Sequence, residues 1–162
     1  MNPPRPKTPK ATFPATWQGT WSGPSEVVRQ GKTAMTFPTS LTIEPLEAEG
    51  RWTWTLVYGE GEQRQVRPYE LVVVDAETGH YRIDEKNSIV LDAFLENDTL
   101  HSRFWVGDQV IEVQYRKTEA SLTAQLTTYG AKPLVMTGGE GRVPPVGSYG
   151  LHSVQRAVMS RE

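Results

Sequence analysis

Histidines and carboxylates are the side chains in this sequence that could support acid–base or metal chemistry, and their spacing favours neither. His80, His101 and His152 lie far apart, and none occurs in an H-x-H or H-E-x-x-H pattern. Metal sites usually show such local ligand spacing. Asp92 and Glu112 each stand between two apolar residues. This pattern is typical of the outer face of a strand, and it predicts no paired catalytic carboxylates and no metal site.

Nucleophile and phosphate-binding motifs are also missing from the sequence. The 162 residues contain no cysteine, which excludes disulfides, thiol nucleophiles, thiolate zinc sites and iron–sulfur clusters. No serine lies in a G-x-S-x-G elbow. The Gly-Gly-Glu-Gly run at 138–141 is not followed by the Lys-Ser/Thr of a phosphate-binding loop. The sequence therefore identifies no catalytic residue and favours a non-catalytic role, with an enzyme left open.

Aromatic residues with polar neighbours are the feature that could bind a ligand. The predicted ligand-binding residues lie on three predicted strands: Arg67 and Tyr69, His101 and Arg103, and Tyr115. If their faces line a cavity, the arginines need an anionic partner, such as the carboxylate of a small hydrophobic or amphipathic molecule. In the alternative interpretation, Arg67, His101 and Arg103 point to water and line no cavity. This interpretation is favoured for His101 and Arg103 because Phe104 and Val106, on the opposite face of their strand, favour burial.

Short strands are the elements that must position these residues. RWTWTLVYG at 51–59 alternates, with Trp52, Trp54, Leu56 and Tyr58 on one face, which is the period of a half-buried strand. Later strand starts recur roughly every 10–14 residues with short connections, which favours an antiparallel meander over βαβ units. No segment combines helical caps with a helical period, so the sequence predicts little helix.

Both ends of the chain differ in composition from its centre. Residues 1–15 contain five prolines among small and basic residues and are predicted to be a disordered lead-in. Residues 16–159 are predicted to form a single β-barrel domain, within which the Gly- and Pro-rich segment 130–147 is a loop or flap. Segment 149–159 returns to strand composition. Pairing it with the first strand would close an up-and-down barrel of about 8–10 strands.

Net charge and hydropathy limit the classes of molecule that this protein is predicted to bind and where it is predicted to be located. The formal net charge is -2 with a pI of about 6.0, and lysines and arginines are scattered, so no nucleic-acid partner is predicted. No apolar run approaches the ~20 residues of a membrane-spanning helix. The N-terminal MNPPRPKTPK has no apolar stretch after its basic residues, so a cytoplasmic location is expected. The oligomeric state stays open.

The strand layout and one tripeptide resemble the lipocalin-like barrels of the calycin superfamily. Gly19-Thr20-Trp21 forms a G-x-W pattern at the start of the first strand. In lipocalins this Trp plugs the closed end of the barrel, and an Arg from a late strand covers its ring. The resemblance implies that Trp21 and Arg156 are this structural pair, held by a cation–π contact.

The sequence is also similar to the nitrobindin-like group of haem-binding barrels. That group opens with a Gly-x-Trp-x-Gly motif, present here at 19–23, and carries an axial His in its closing strand. The resemblance implies His152 as a haem ligand in one alternative. A second alternative is a packed barrel without a ligand cavity that acts as a protein-interaction module. The first hypothesis is non-catalytic binding of a small hydrophobic or amphipathic molecule inside the barrel, with no cofactor.

Overall fold

The fold is a closed antiparallel β-barrel of ten strands, described over residues 12–162 by a computed structural model. The strands follow one another around the barrel in chain order. Their bounds are β1 Gly19–Arg29, β2 Lys32–Ile43, β3 Arg51–Tyr58, β4 Gln65–Asp75, β5 His80–Asp84, β6 Val90–Glu96, β7 Thr99–Val106, β8 Gln109–Lys117, β9 Leu122–Gly138 and β10 Pro145–Arg161. The predicted all-β barrel is confirmed.

Helical structure is confined, over the described part of the chain, to two 3₁₀ turns of three residues each, Ala15–Trp17 and Gly61–Gln63. No helix in residues 12–162 is long and apolar enough to cross a membrane.

Residues 1–11 of the predicted lead-in lie outside the described residues. Within the last part of that lead-in, Phe13 packs edge-to-face on Trp17 at 4.7 Å and on Tyr81 at 4.9 Å between ring centroids. This segment therefore covers one end of the barrel.

Pairing of the first and last strands closes the barrel. β1 pairs antiparallel with β10 from Trp21 opposite Arg161 to Val28 opposite Val154. The prediction that segment 149–159 pairs with the strand containing Trp21 is confirmed. Closure leaves no free edge around the barrel wall, which protects the sheet from pairing with other chains.

The long hairpin of β9 and β10 corrects one prediction. Segment 130–147 was predicted to be a loop or flap, but the two strands pair as far as Gly138 opposite Pro145, so only residues 139–144 connect them. Composition misled here because proline is tolerated on strands that have a free edge. Pro133 lies beyond Gly130, where the pairing of β8 with β9 ends.

Trp21 closes the barrel end that Phe13 and Trp17 cover. Its side chain is 1% exposed, and its indole N–H donates a hydrogen bond to the Trp17 carbonyl at 2.9 Å. Two cations lie over its ring: the guanidinium of Arg161, 4.4 Å from the ring centroid, and the more distant Lys117 Nζ, at 5.9 Å. The assignment of this role to Arg156 was wrong. Met159 is buried and Arg156 is exposed, so alternation along β10 puts Arg161 on the inner face and Arg156 on the outer one.

The core fills the barrel from this closed end. Its fully buried side chains include Leu41, Trp54 and Leu71. Two buried hydroxyl groups lie in the wall of β1 and β2, and they satisfy each other: Ser25 Oγ and Thr39 Oγ1 are 2.5 Å apart. Both hydroxyl groups are therefore buried without losing a hydrogen-bond partner.

Candidate functional site

The barrel is open at the end opposite Trp21, where a cavity of about 440 Å³ lies between the strands. We call it the mouth cavity. Its volume is in the range of ordinary small-molecule sites, roughly 300–1,000 Å³. Its lining comes from five strands and one loop: Met35, Thr36, Phe37, Tyr58, Gly59, Gln63, Gln65, Arg67, Leu126 and Gln155.

Two aromatic rings, Phe37 and Tyr58, belong to the lining of the mouth cavity, and a second aromatic pair lies below them. Phe37 of β2 meets Tyr58 of β3 edge-to-face, with ring centroids 5.9 Å apart. Farther along β3 toward the closed end, Trp54 meets Tyr115 of β8 in the same geometry at 5.0 Å. Such rings offer flat apolar surfaces with polar tips, which suits a ligand that is itself aromatic or conjugated.

Arg67 supplies the positive charge of the mouth cavity. Its guanidinium lies 4.9 Å from the centroid of the Tyr58 ring, and its Nη2 donates a long hydrogen bond to Gln65 Oε1 at 3.4 Å. Among residues 12–162, no carboxylate oxygen lies within 4.0 Å of this guanidinium. The exposed charge of Arg67 is therefore available to an anionic ligand group.

Three tyrosine hydroxyls lie around Arg67 and stay protonated at neutral pH. Burial raises the pKa of Tyr58, Tyr69 and Tyr115, and most strongly that of Tyr115. The negative charge of Glu85 adds to the increase in the pKa of Tyr69, whereas the nearby Arg67 opposes the increase in all three pKa values. Tyr58, the one of these tyrosines in the cavity lining, can therefore present a phenolic hydrogen-bond donor beside a fixed positive charge.

These pKa shifts predict a loss of stability in alkaline solution. A tyrosine whose pKa is higher in the folded state than its unfolded value of about 10 contributes stability below that pH and loses it as the pH rises. We expect the free energy of unfolding in urea to be lower at about pH 11 than at about pH 8. In Tyr115→Phe the decrease should be smaller. Equal decreases in both proteins would contradict a role for the buried Tyr115 hydroxyl.

The structure brings together three of the five predicted ligand residues. Arg67 lines the mouth cavity. Tyr69 and Tyr115 are not in its lining, but they lie near enough to Arg67 for its charge to oppose the increase in their pKa values. His101 and Arg103 do not join them. Of the two orientations that the sequence left open for these residues, the structure has the outward one.

Alternation along β7 explains this orientation. Leu100 is buried and Phe104 packs against the core, so His101 and Arg103, which alternate with them, face outward. Arg103 pairs on the outer surface with Glu112 of β8, with Nε and Oε1 3.5 Å apart. His101 and Arg103 instead border a depression of about 500 Å³ in the barrel wall. It lies where the pairing of β6 with β7 ends at Phe94 opposite His101.

The residue proposed as a haem ligand lies away from the mouth cavity. His152 is exposed on β10, beside Gly130 of β9, and it is not part of the cavity lining. Over residues 12–162, no group of three or more His, Cys, Asp or Glu side chains could hold a metal ion.

Sequence reasoning missed several cavity residues. The alternation of 51–59 already placed Tyr58 on the face of the buried Trp54, and this signal was sufficient to include it. Phe37 and Gln155 carried no such signal. They reach the cavity because β2 and β10 flank β1 in the closed sheet, which is a property of strand order and not of either segment.

The fold and the mouth cavity define a closed ten-stranded antiparallel barrel with one covered end and one open end. Among solved structures, this barrel is similar to the S-type phycobiliprotein lyase CPES from Guillardia theta, with a TM-score of 0.55 and 9% sequence identity over 90% of this chain and 88% of that one. At this identity the similarity shows the fold alone. No protein-family model and no curated protein sequence matches the chain.

Proposed function

We propose that the protein binds a small amphipathic molecule in the mouth cavity. The apolar body of the ligand packs against Phe37, Tyr58 and Leu126, and an anionic group at its end binds Arg67. The observation that carries this proposal is the exposed guanidinium at the rim of an aromatic-lined cavity of about 440 Å³, with no carboxylate within 4.0 Å in residues 12–162.

Binding without catalysis is the role that the lining favours. It contains no histidine, aspartate or glutamate, the side chains that most often transfer protons in enzymes.

The similarity to a phycobiliprotein lyase supports a pigment-like ligand. A linear tetrapyrrole with carboxylate groups combines a conjugated body with anionic ends. The Trp21–Arg161 contact, together with the G-x-W pattern, further supports a lipocalin-like ancestry.

Arg67 should govern the affinity for anionic ligands. We expect Arg67→Leu to bind oleate and biliverdin at least about tenfold more weakly than the wild type, because a charge-assisted hydrogen bond contributes roughly 1.5–3 kcal/mol. The measurement is a titration followed by quenching of tryptophan fluorescence. The neutral oleyl alcohol should bind both proteins equally well.

Arg103→Leu is the matched control, because it removes an arginine from the outer face of β7. Its affinities should equal those of the wild type. Equal binding of oleate by wild type and Arg67→Leu would contradict the placement of the anion on Arg67. Failure of the wild type to bind any of the three probes would contradict the proposed function itself.

A further inference from the structure

The β9–β10 hairpin extends beyond the barrel as a two-stranded ribbon, residues 132–152, which we call the arm. Within it, β9 and β10 pair with each other alone: β8 reaches no farther along β9 than Gly130, and β1 no farther along β10 than Val154. Among residues 12–162, no strand therefore pairs with either outer edge of the arm. A two-stranded ribbon by itself is marginally stable in water, and a free edge is a template for pairing with another strand.

The arm is also apolar on its surface. Leu134 is 78% exposed, and the other exposed large apolar side chains of the arm are Val135, Met136, Val143, Val146, Tyr149 and Leu151. The apolar surface continues onto the outer face of the barrel, since Leu151, Tyr129, Val110 and Trp105 are register partners across β10, β9, β8 and β7. An apolar surface of this extent marks a site of association.

We infer that the arm is a homodimer interface, in which it packs antiparallel against the arm of a second copy of this chain across a two-fold axis. Two-fold symmetry makes equivalent strands antiparallel, so residues 145–152 at the β10 edges of the two copies can continue one sheet. Along that edge, proline occurs only at Pro145, so nearly every residue keeps its backbone N–H donor.

The low charge of the arm and its size favour a second copy of this chain as the partner that covers it. Three of the 21 residues of the arm are charged, Lys132, Glu140 and Arg142, and none of these lies in 143–151. Residues near a two-fold axis meet their own copies, so charges there would repel each other. A stable interface takes roughly 20–30 residues from each partner and is more apolar when both copies are identical. The arm, with 21 residues, falls at the lower end of that range.

Dimerisation would bring the two ligand sites near one interface. The arm leaves the barrel from the segments of β9 and β10 that carry Leu126 and Gln155, both in the lining of the mouth cavity. The inference does not depend on ligand binding, because it follows from the free edges and the apolar surface of the arm.

Sedimentation equilibrium of the purified full chain tests the interface. We expect the wild type to have twice the chain mass of 18.2 kDa at about 50 μM, and Val146→Glu/Leu151→Glu, which places charges on the β10 edge, to dissociate at least about tenfold more readily. Val158→Glu, a charge at an exposed position of β10 on the barrel wall, should leave the dimer intact. A monomeric wild type, or a double variant that dimerises normally, would overturn the inference.

Cysteine cross-linking tests whether the two β10 edges pair. It needs only one substitution in each chain, because the protein has no cysteine of its own, and it leaves the large apolar side chains of the arm almost unchanged. At least one of Val146→Cys, Ser148→Cys and Gly150→Cys should form a disulfide-linked dimer on oxidation, because an antiparallel pair brings positions near its axis within about 7 Å. Ser160→Cys, exposed at the closed end of β10, should stay monomeric under denaturing conditions. No cross-link at any of the three arm positions would overturn pairing through the β10 edge.

Discussion

Replacing Trp21 with alanine should lower the free energy of unfolding by about 3–5 kcal/mol, the usual loss for a buried aromatic residue. The side chain is 1% exposed, donates a hydrogen bond to Trp17 and lies under Arg161. Its removal would leave a cavity at the closed end and uncover the Trp17 carbonyl. Urea unfolding followed by far-UV circular dichroism measures the change.

Trp105→Ala is the matched control for this prediction. Trp105 is 75% exposed, so its replacement should change the unfolding free energy by no more than about 0.5 kcal/mol. A loss below about 1 kcal/mol in Trp21→Ala would show that the ring does not support the closed end. The contrast between two tryptophans of the same chain separates burial from residue type.

A single methyl group at Gly23 should also be strongly destabilising. A Cβ atom there would lie 2.2 Å from the Val158 carbonyl oxygen and 3.1 Å from Met159 Cα. Both are backbone atoms, so no side-chain rotation relieves the clash, and β1 must move away from β10 beside Trp21. We expect Gly23→Ala to lose about 1–3 kcal/mol of unfolding free energy in urea.

Gly150→Ala provides the comparison at a glycine with space around it. The nearest atom to a Cβ at that position is Leu134 Cδ2, at 4.0 Å. This substitution should be neutral or slightly stabilising, because alanine restricts the unfolded chain more than glycine does. Equal stabilities of the two variants would contradict the close approach of β1 and β10 at Gly23.

Alternation predicted the inner face where one face was clearly more apolar. In β3 it placed Trp54 and Leu56 inside, and both are buried. In β7 each face carried an aromatic residue, Phe104 on one and Trp105 on the other. The choice between them depends on the neighbouring strands, so the sequence left it open. Naming His101 and Arg103 as candidate ligand residues assumed the inward choice, and the structure has the outward one.

Two other errors have the same origin. Arg156 and Arg161 both follow Trp21 late in the chain, and the register of β10 against β1 decides which one reaches the ring. The Gly- and Pro-rich composition of segment 130–147 indicated a loop because local signals cannot show that a strand has a free edge, where these residues are tolerated.

Local patterns in the sequence indicated the strand periods, the turns between them and the return to strand composition at the end, and these were enough to predict a closed antiparallel barrel. Each of these signals lies within a few residues, since alternation is a property of one strand. Only the folded barrel shows that Phe37, Tyr58, Arg67 and Gln155 share one cavity and that the arm extends beyond the barrel. Those outcomes depend on register and closure of the whole sheet, which join residues far apart in the chain.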